Sequence, residues 1–180
     1  MLDAAAAQFA HHGYHGTTIR DIAVGAGMTP GAVYFHFASK HALLLEVYEE
    51  GVRRVLSRLD QIAAPEAAAW QQLEKMAIAH LQAILDQSDY ARVVIRVFPD
   101  DVKEVSDELK SQRNLYEKRF RAVIDEIPRL SPRERKFARL LLLGGLNWTP
   151  SWYRPDQDGV DAIARVFTRL LRRDNDQRET

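Results

Sequence analysis

Apolar residues recur every three or four positions along almost the whole chain, and glycine and proline punctuate the runs. That period belongs to amphipathic helices. The strict alternation of a half-buried strand is absent, so the pattern predicts an all-α protein. Leu2, Ala6 and Phe9 share one face of a first helix from about Leu2 to His12, which Gly13 stops. Thr18 reads as an N-cap with Asp21 three residues on, a capping-box variant opening a helix of about two turns that ends near Gly25. Thr29-Pro30 is the next start signal, because threonine caps free amides and proline is tolerated where its missing N–H has no helical partner. That helix ends before Ser39, which caps a long fourth helix reaching about Ile62, and Pro65 closes the segment.

Beyond Pro65 the helices lengthen. Glu66 to Gln87 carries Trp70, Leu73, Ala77, Leu81, Ile84 and Leu85 at helical spacing. Tyr90 to Phe98 is short and stopped by Pro99, and Asp101 to Ile127 is long, with Val105, Leu109, Tyr116, Phe120, Val123 and Ile127 in a stripe that Pro128 closes. "SPRE" at 131–134 is a capping box with proline at the first helical position, opening a helix to about Trp148. "TPSWYRPDQDG" reads as an irregular link. Asp158 is expected to cap a last helix carrying Val160, Ile163, Ala164, Phe167, Leu170 and Leu171, with a frayed polar tail from Asp174. The count comes to about nine helices, and no internal repeat interrupts them.

Two short helices around a glycine-containing turn, followed by a long helix, describe a helix-turn-helix. Ile22 and Ala23 face the packing side, and small Ala23 lets the helices approach. Gly27 stands where the turn calls for positive φ, and Val33 points back into the core. The second short helix then presents Thr29, Pro30, Gly31, Ala32, Tyr34 and His36 outward, with its N-terminal end suited to a major groove.

Phe9 to Thr18 reads F-x3-G-Y-x-G-T-T, Ile22 to Gly27 reads I-A-x2-A-G, and Gly31 to Lys40 reads G-x-V-Y-x-H-F-x-S-K. With these motifs, the first fifty or so residues resemble the DNA-binding domain of the TetR (tetracycline-repressor) family of transcriptional regulators. The resemblance implies a helix-turn-helix domain over 1–48 and a helical ligand-binding and dimerisation domain over 49–180. It implies a homodimer on double-stranded operator DNA. Carried over residue by residue, it places phosphate contacts at Thr18, Arg20, Tyr34, His36 and Lys40, and base contacts at Thr29, Pro30, Gly31 and Ala32. The chemistry agrees: hydroxyls and lysine suit phosphate oxygens, and threonine, proline and alanine offer little beyond thymine methyls, so DNA shape is expected to matter.

Charge changes this picture. The formal net charge is +0, where a nucleic-acid binder ordinarily shows a basic surplus. Residues 1–40 hold two basic side chains (Arg20 and Lys40) against two acidic ones (Asp3 and Asp21), and Met1 sits directly on "LDAA", ahead of which members of the family usually carry a basic arm. His11, His12, His15 and His36 add charge only below about pH 6.5. Weak non-specific binding with a shallow salt dependence is expected. "HHGYH" at 11–15 invites a metal reading, but Gly13 breaks the helix between His11 and His15, and no metal or cofactor is expected. No catalytic motif is present, so the chain is not expected to be an enzyme; a helical interaction module without DNA binding is the competing reading. The absence of cysteine fits a reducing cytoplasm, no signal peptide is recognisable, and no apolar run reaches the ~18 residues of a membrane span.

The C-terminal half is expected to supply the dimer. "FARLLLLGGLNW" is apolar on both faces, so the last two long helices, Arg133 to Trp148 and Val160 to Arg172, have one face for the core and one for a twofold partner. Gly144 and Gly145 suit close helix approach. A pocket for a small hydrophobic effector is expected among the middle helices, walled by Leu81, Ile84, Val94, Phe98, Tyr116, Phe120, Leu143, Asn147, Trp148 and Trp152. Asn147 is the sharpest of these, a polar amide among leucines that needs partners if buried. G-x-x-N-W-x3-W-Y-x-P at 144–155 resembles TetR-type regulators of fatty-acid and steroid-ring degradation, which implies an acyl-CoA thioester that releases a repressor from its operator. A drug-like or aromatic effector, as for efflux or catabolic regulators, is the alternative. Arg92, Arg96, Arg113 and Arg119 are either CoA-phosphate ligands or solvated faces, and the solvated reading is favoured for each.

Overall fold

The computed structural model describes residues 1–62, 67–85 and 88–176. Its helices are α1 (Leu2–Gly16), α2 (Ile19–Gly25), α3 (Pro30–His36), α4 (Lys40–Ile62), α5 (Ala69–Leu85), α6 (Asp89–Arg96), α7 (Ser106–Asp125), α8 (Pro132–Trp148) and α9 (Val160–Asp176). Short 3-10 turns occur at Pro99–Asp101, Lys103–Val105 and Thr149–Ser151, and no strand occurs among the described residues. The all-α reading therefore holds.

Packing divides the chain into two bodies, Met1–Arg54 with Gln87–Leu115 and Val55–Asp86 with Tyr116–Thr180. The boundary falls inside α4 and α7, and α6 groups with the N-terminal helices.

In the first body, α1 kinks at Gly13 (φ 70°, ψ 172°), so its straight part ends at His12 and one more turn runs to Gly16. Buried Thr17 closes the kink, its Oγ1 lying 2.8 Å from Gly13 O and 3.0 Å from Gln8 O. Helix α6 packs along α1. The Tyr90 hydroxyl donates to Asp3 Oδ1 (2.8 Å), Arg96 donates to Ala10 O (3.2 Å), and His15 Nε2 lies 3.1 Å from Asp101 O. Burial, then the Asp3 carboxylate, pushes the Tyr90 phenol well up. Buried Gly51 seats α4 on α6: a Cβ there would stand 2.6 Å from Val94 Cγ2 and 2.9 Å from Tyr90 O.

In the second body, α5 buries Leu73, Met76, Ala77, Ala79, His80, Leu81, Ala83 and Ile84, so apolar neighbours cover it on more than one side. It packs on α9 and α8. The leucine run of α8 splits, with Leu142 and Leu143 buried and Leu140 and Leu141 exposed. Gly145 lets α9 close on α8, since a Cβ there would meet Phe167 Cε2 at 3.0 Å; one at Gly144 would meet nothing within 4 Å.

Several boundaries differ from expectation, α6 ending at Arg96 and α7 at Asp125 among them. The long helix expected from Asp101 begins at Ser106, because the Asp101 carboxylate folds back to accept from Phe98 N–H (3.1 Å) and Val102 leaves helical φ/ψ (−131°, 85°). The cap of α9 falls on Gly159, whose carbonyl accepts from Ile163 N–H (3.1 Å), one residue after Asp158. Helix α9 also continues through Asp176 where a tail from Asp174 was expected. The expected stop at Pro65 and the expected ends at Glu66 and Gln87 lie outside the described residues.

Candidate nucleic-acid interface and effector core

Local chemistry builds the reading head. The Thr18 side chain accepts from Asp21 N–H (3.2 Å) and donates to Asp21 Oδ2 (2.6 Å), while Thr18 N–H donates to the same carboxylate (2.9 Å). These bonds hold the Asp21 carboxyl below its usual range. Helix α2 ends in a Schellman turn, with Gly27 N–H on Val24 O (3.1 Å) and Met28 N–H on Ala23 O (2.9 Å). Gly27 has φ 65°, the left-handed conformation the turn demands. Thr29 then caps α3 by accepting from Ala32 N–H (3.2 Å), with Pro30 at the first helical position. Ile22, Ala23 and Val33 are buried where the two helices meet.

The outward side of α3 matches expectation at most positions. Thr29, Pro30, Gly31 and His36 are exposed, Tyr34 is 55% exposed, and Ala32 is half-buried. Arg20 is exposed on α2. Phe35, absent from the sequence-based set, is 86% exposed. It lies two residues, about 200° of helix, from buried Val33, so wheel arithmetic alone places it outward.

Two expected phosphate contacts are occupied inside the head. The Thr18 hydroxyl proton goes to Asp21, so it is not available to a phosphate while the cap is closed. Lys40 Nζ donates to Tyr14 O (2.8 Å) and Thr17 O (2.9 Å) and stands 4.2 Å from the Tyr14 ring centroid. It clamps the end of α1 to the start of α4, with the cation on an aromatic face. Two of the three histidines of "HHGYH", all exposed, have partners within the protein: His11 Nε2 lies 3.5 Å from Asp89, and His15 Nε2 3.1 Å from Asp101 O.

The expected effector walls divide. Val94 and Phe98 belong to the first body, where Val94 covers Gly51 and Phe98 is exposed, with the Arg113 guanidinium 6.0 Å from its ring. The other eight belong to the second. Leu81, Ile84, Phe120 and Leu143 are buried there, and Tyr116 and Asn147 are half-buried. Trp152 is exposed, and Trp148 is 69% exposed on the same outer face of α8 as Phe137 and Leu141. These two tryptophans do not join the buried set.

At the centre of that set stands a residue that the sequence pattern does not single out. His80, 3% exposed, shares a hydrogen bond at Nδ1 with the Tyr116 hydroxyl. Its ring packs 5.5 Å from Tyr116 and edge-on to Phe120 at 6.1 Å. Burial lowers the imidazole from 6.5 to about 4, against a smaller opposing effect of the neighbouring Asn147 side chain. Nε2 is buried and makes no hydrogen bond of normal geometry, Asn147 included. Burial also pushes the Tyr116 phenol well up, so it stays protonated. The available signal was a polar residue on the Leu73–Ala77–Ile84 stripe of α5.

All four arginines considered as CoA ligands have partners within their own bodies. Arg92 pairs with Asp89 (3.6 Å), Arg96 with Ala10 O, Arg119 with Asp60 (3.1 Å), and Arg113 lies over Phe98. No helix of the described residues is long and apolar enough to cross a membrane.

A locked pair of short helices with its second member turned outward defines a helix-turn-helix transcriptional regulator that binds DNA. The chain belongs to the TetR family: residues 1–47 match the model of bacterial regulatory proteins of that family, and residues 66–174 match the tetracyclin repressor-like C-terminal domain. It is not an enzyme. The HTH-type transcriptional repressor KstR2 of Mycobacterium tuberculosis is 32% identical over 167 residues, covering 93% of this chain and 74% of that protein. A TetR-family regulatory protein from Rhodococcus RHA1 superposes with TM-score 0.80 at 26% identity, covering 96% of this chain and 93% of that one. FadR of Bacillus subtilis, solved with stearoyl-CoA, shares the fold with TM-score 0.77 at 19% identity, covering 94% of this chain and 95% of that one.

Proposed function

We propose that the chain acts in the cytoplasm as a dimeric repressor, released from its operator when the helical body over the C-terminal half takes up an acyl-CoA thioester. The observation that carries the DNA half of this reading is the outer side of α3, where Tyr34, Phe35 and His36 stand exposed beside the Thr29–Ala32 end. Thr29 and the apolar pair Pro30 and Ala32 read base edges, Gly31 allows close approach, and Arg20, Tyr34 and His36 hold phosphates. Thr18 and Lys40 serve by fixing the frame. The dimer reading rests on one apolar face: Phe137, Leu141 (69% exposed), Gly144 and Trp148 recur at helical spacing on α8, and α9 adds exposed Val166 and Leu170. The effector class rests on the motif at 144–155 and on the shared fold with a regulator solved with stearoyl-CoA. In a twofold complex the half-sites lie about one helical turn of DNA or a multiple apart, so a small rigid-body shift is enough for release.

The test is fluorescence anisotropy on the intergenic DNA upstream of the protein's own coding sequence, at two salt concentrations, with a panel of CoA thioesters. Specific binding released by a thioester, but by neither the free acid nor free CoA, is the expected result. Specific binding that no thioester disturbs removes the CoA assignment and favours an aromatic effector. Failure to bind specifically removes the repressor.

A further inference from the structure

The unanswered nitrogen of His80 defines what the effector must carry. Two groups could share the proton between the Tyr116 oxygen and His80 Nδ1. The phenol is the better donor and neutral imidazole the better acceptor, and burial keeps the phenol protonated and the imidazole neutral. Nδ1 therefore accepts, and the imidazole proton sits on Nε2. That N–H is buried and has no acceptor within hydrogen-bond geometry. A donor left in this state loses its hydration without replacement, which is costly enough that buried groups of this kind are rarely left so. Phe120, edge-on to the ring, offers it no acceptor, and the Asn147 side chain, close enough to raise the imidazole pKa, does not reach hydrogen-bond geometry with it.

We propose that His80 Nε2–H is the specificity-determining donor of the effector site, and that it receives a carbonyl oxygen, such as that of an acyl thioester. The inference rests on the reading that the second body takes up an effector. Tyr116 is then a positioning residue, holding the tautomer that points a proton, not a lone pair, at the ligand. A ligand with the same shape and no acceptor leaves Nε2–H unpaired and is rejected; one with a carbonyl completes the cluster.

Two matched pairs of probes test this by calorimetry on the full chain. Octanoyl-CoA and S-octyl-CoA differ only by a methylene in place of the thioester carbonyl, and acetophenone and ethylbenzene differ in the same way. The carbonyl member of a bound pair is expected to bind about tenfold more tightly, and His80→Leu to level the two. If the CoA pair binds without preference, the donor assignment is overturned and the CoA reading stands. If only the aromatic pair binds, with a preference that His80→Leu removes, the donor stands and the CoA reading falls. A preference that survives His80→Leu, or no binding by either pair, overturns the donor. Should His80→Leu not fold, nitrogen-15 NMR of the unaltered chain decides the same question. The Nε2–H tautomer, with a proton resonance that moves on adding octanoyl-CoA and not S-octyl-CoA, is expected. The Nδ1–H tautomer overturns the assignment.

Discussion

The reading head and the core around α5 treat polar groups in opposite ways. In the head, Thr18 and Asp21 satisfy each other, Thr29 answers Ala32 N–H, and Lys40 covers the carbonyls of Tyr14 and Thr17. In the second body, His80 is satisfied at one nitrogen and not at the other. The head is a finished frame that needs nothing from outside to hold its shape. The α5 cluster keeps one buried donor in reserve, which is the condition of a site and not of a scaffold.

The contrast breaks most readily with pH. Burial holds the folded His80 imidazole at about 4 against an ordinary 6.5. Between those values the unfolded chain binds a proton that the folded chain refuses, so stability rises with pH across the window. His80 therefore leaves stability undiminished above the ordinary value and takes away about 3 kcal/mol as pH falls to the lowered one. Urea unfolding through this range measures the slope, and His80→Leu should flatten it. An equal slope in the variant would remove His80 as its source.

Lys40 is next in size. Lys40→Met removes two charge-assisted bonds to carbonyls and should lower stability by about 2–3 kcal/mol, read as a shift of the urea midpoint. Arg20→Ala, on the exposed surface, should leave the midpoint nearly unchanged, weaken binding to all DNA sequences and reduce the salt slope by about one. Were Lys40→Met to behave like Arg20→Ala, the clamp would be the wrong description.

The smallest effect sharpens the comparison within α8. Gly145→Ala drives a Cβ to 3.0 Å from the Phe167 ring and should cost about 1 kcal/mol. Gly144→Ala meets nothing within 4 Å in the chain, and the helix propensity of alanine should raise the melting temperature of the isolated chain slightly. Sedimentation across a concentration series then shows whether the same change weakens a dimer, as it must if Gly144 lies under a partner helix.

What could be read from sequence was whatever closes over three or four residues. Thr18 with Asp21, Thr29 with Pro30 and Ser131 with Glu134 are complete statements in the linear chain, and all three caps form. Gly27 was legible for the same reason. Lys40 was not, because its acceptors lie 26 and 23 residues away and turn a surface cation into an internal one. The start of α7 was missed because Asp101 reaches backward instead of joining the helix ahead. Trp148 and Trp152 read as effector walls, and both stand exposed, because aromatic character says nothing of which face it serves. His80 went unnoticed for the converse reason, a polar residue sitting in step with an apolar stripe.

The seating of α6 has a mechanical consequence. This short helix lies more than fifty residues beyond the turn of the reading head, yet Asp3, Ala10 and His15 fasten its neighbourhood to α1 along most of that helix. At Gly51 the Tyr90 carbonyl and the Val94 side chain of α6 rest directly on α4, which has no side chain of its own there. Such a contact has no slack: a rotamer can swing aside, whereas a main-chain carbonyl against a bare Cα cannot. Any push on α6 therefore becomes a rigid displacement of α1 and α4 together. The head carries its own lever arm, cut from a distant stretch of the polypeptide.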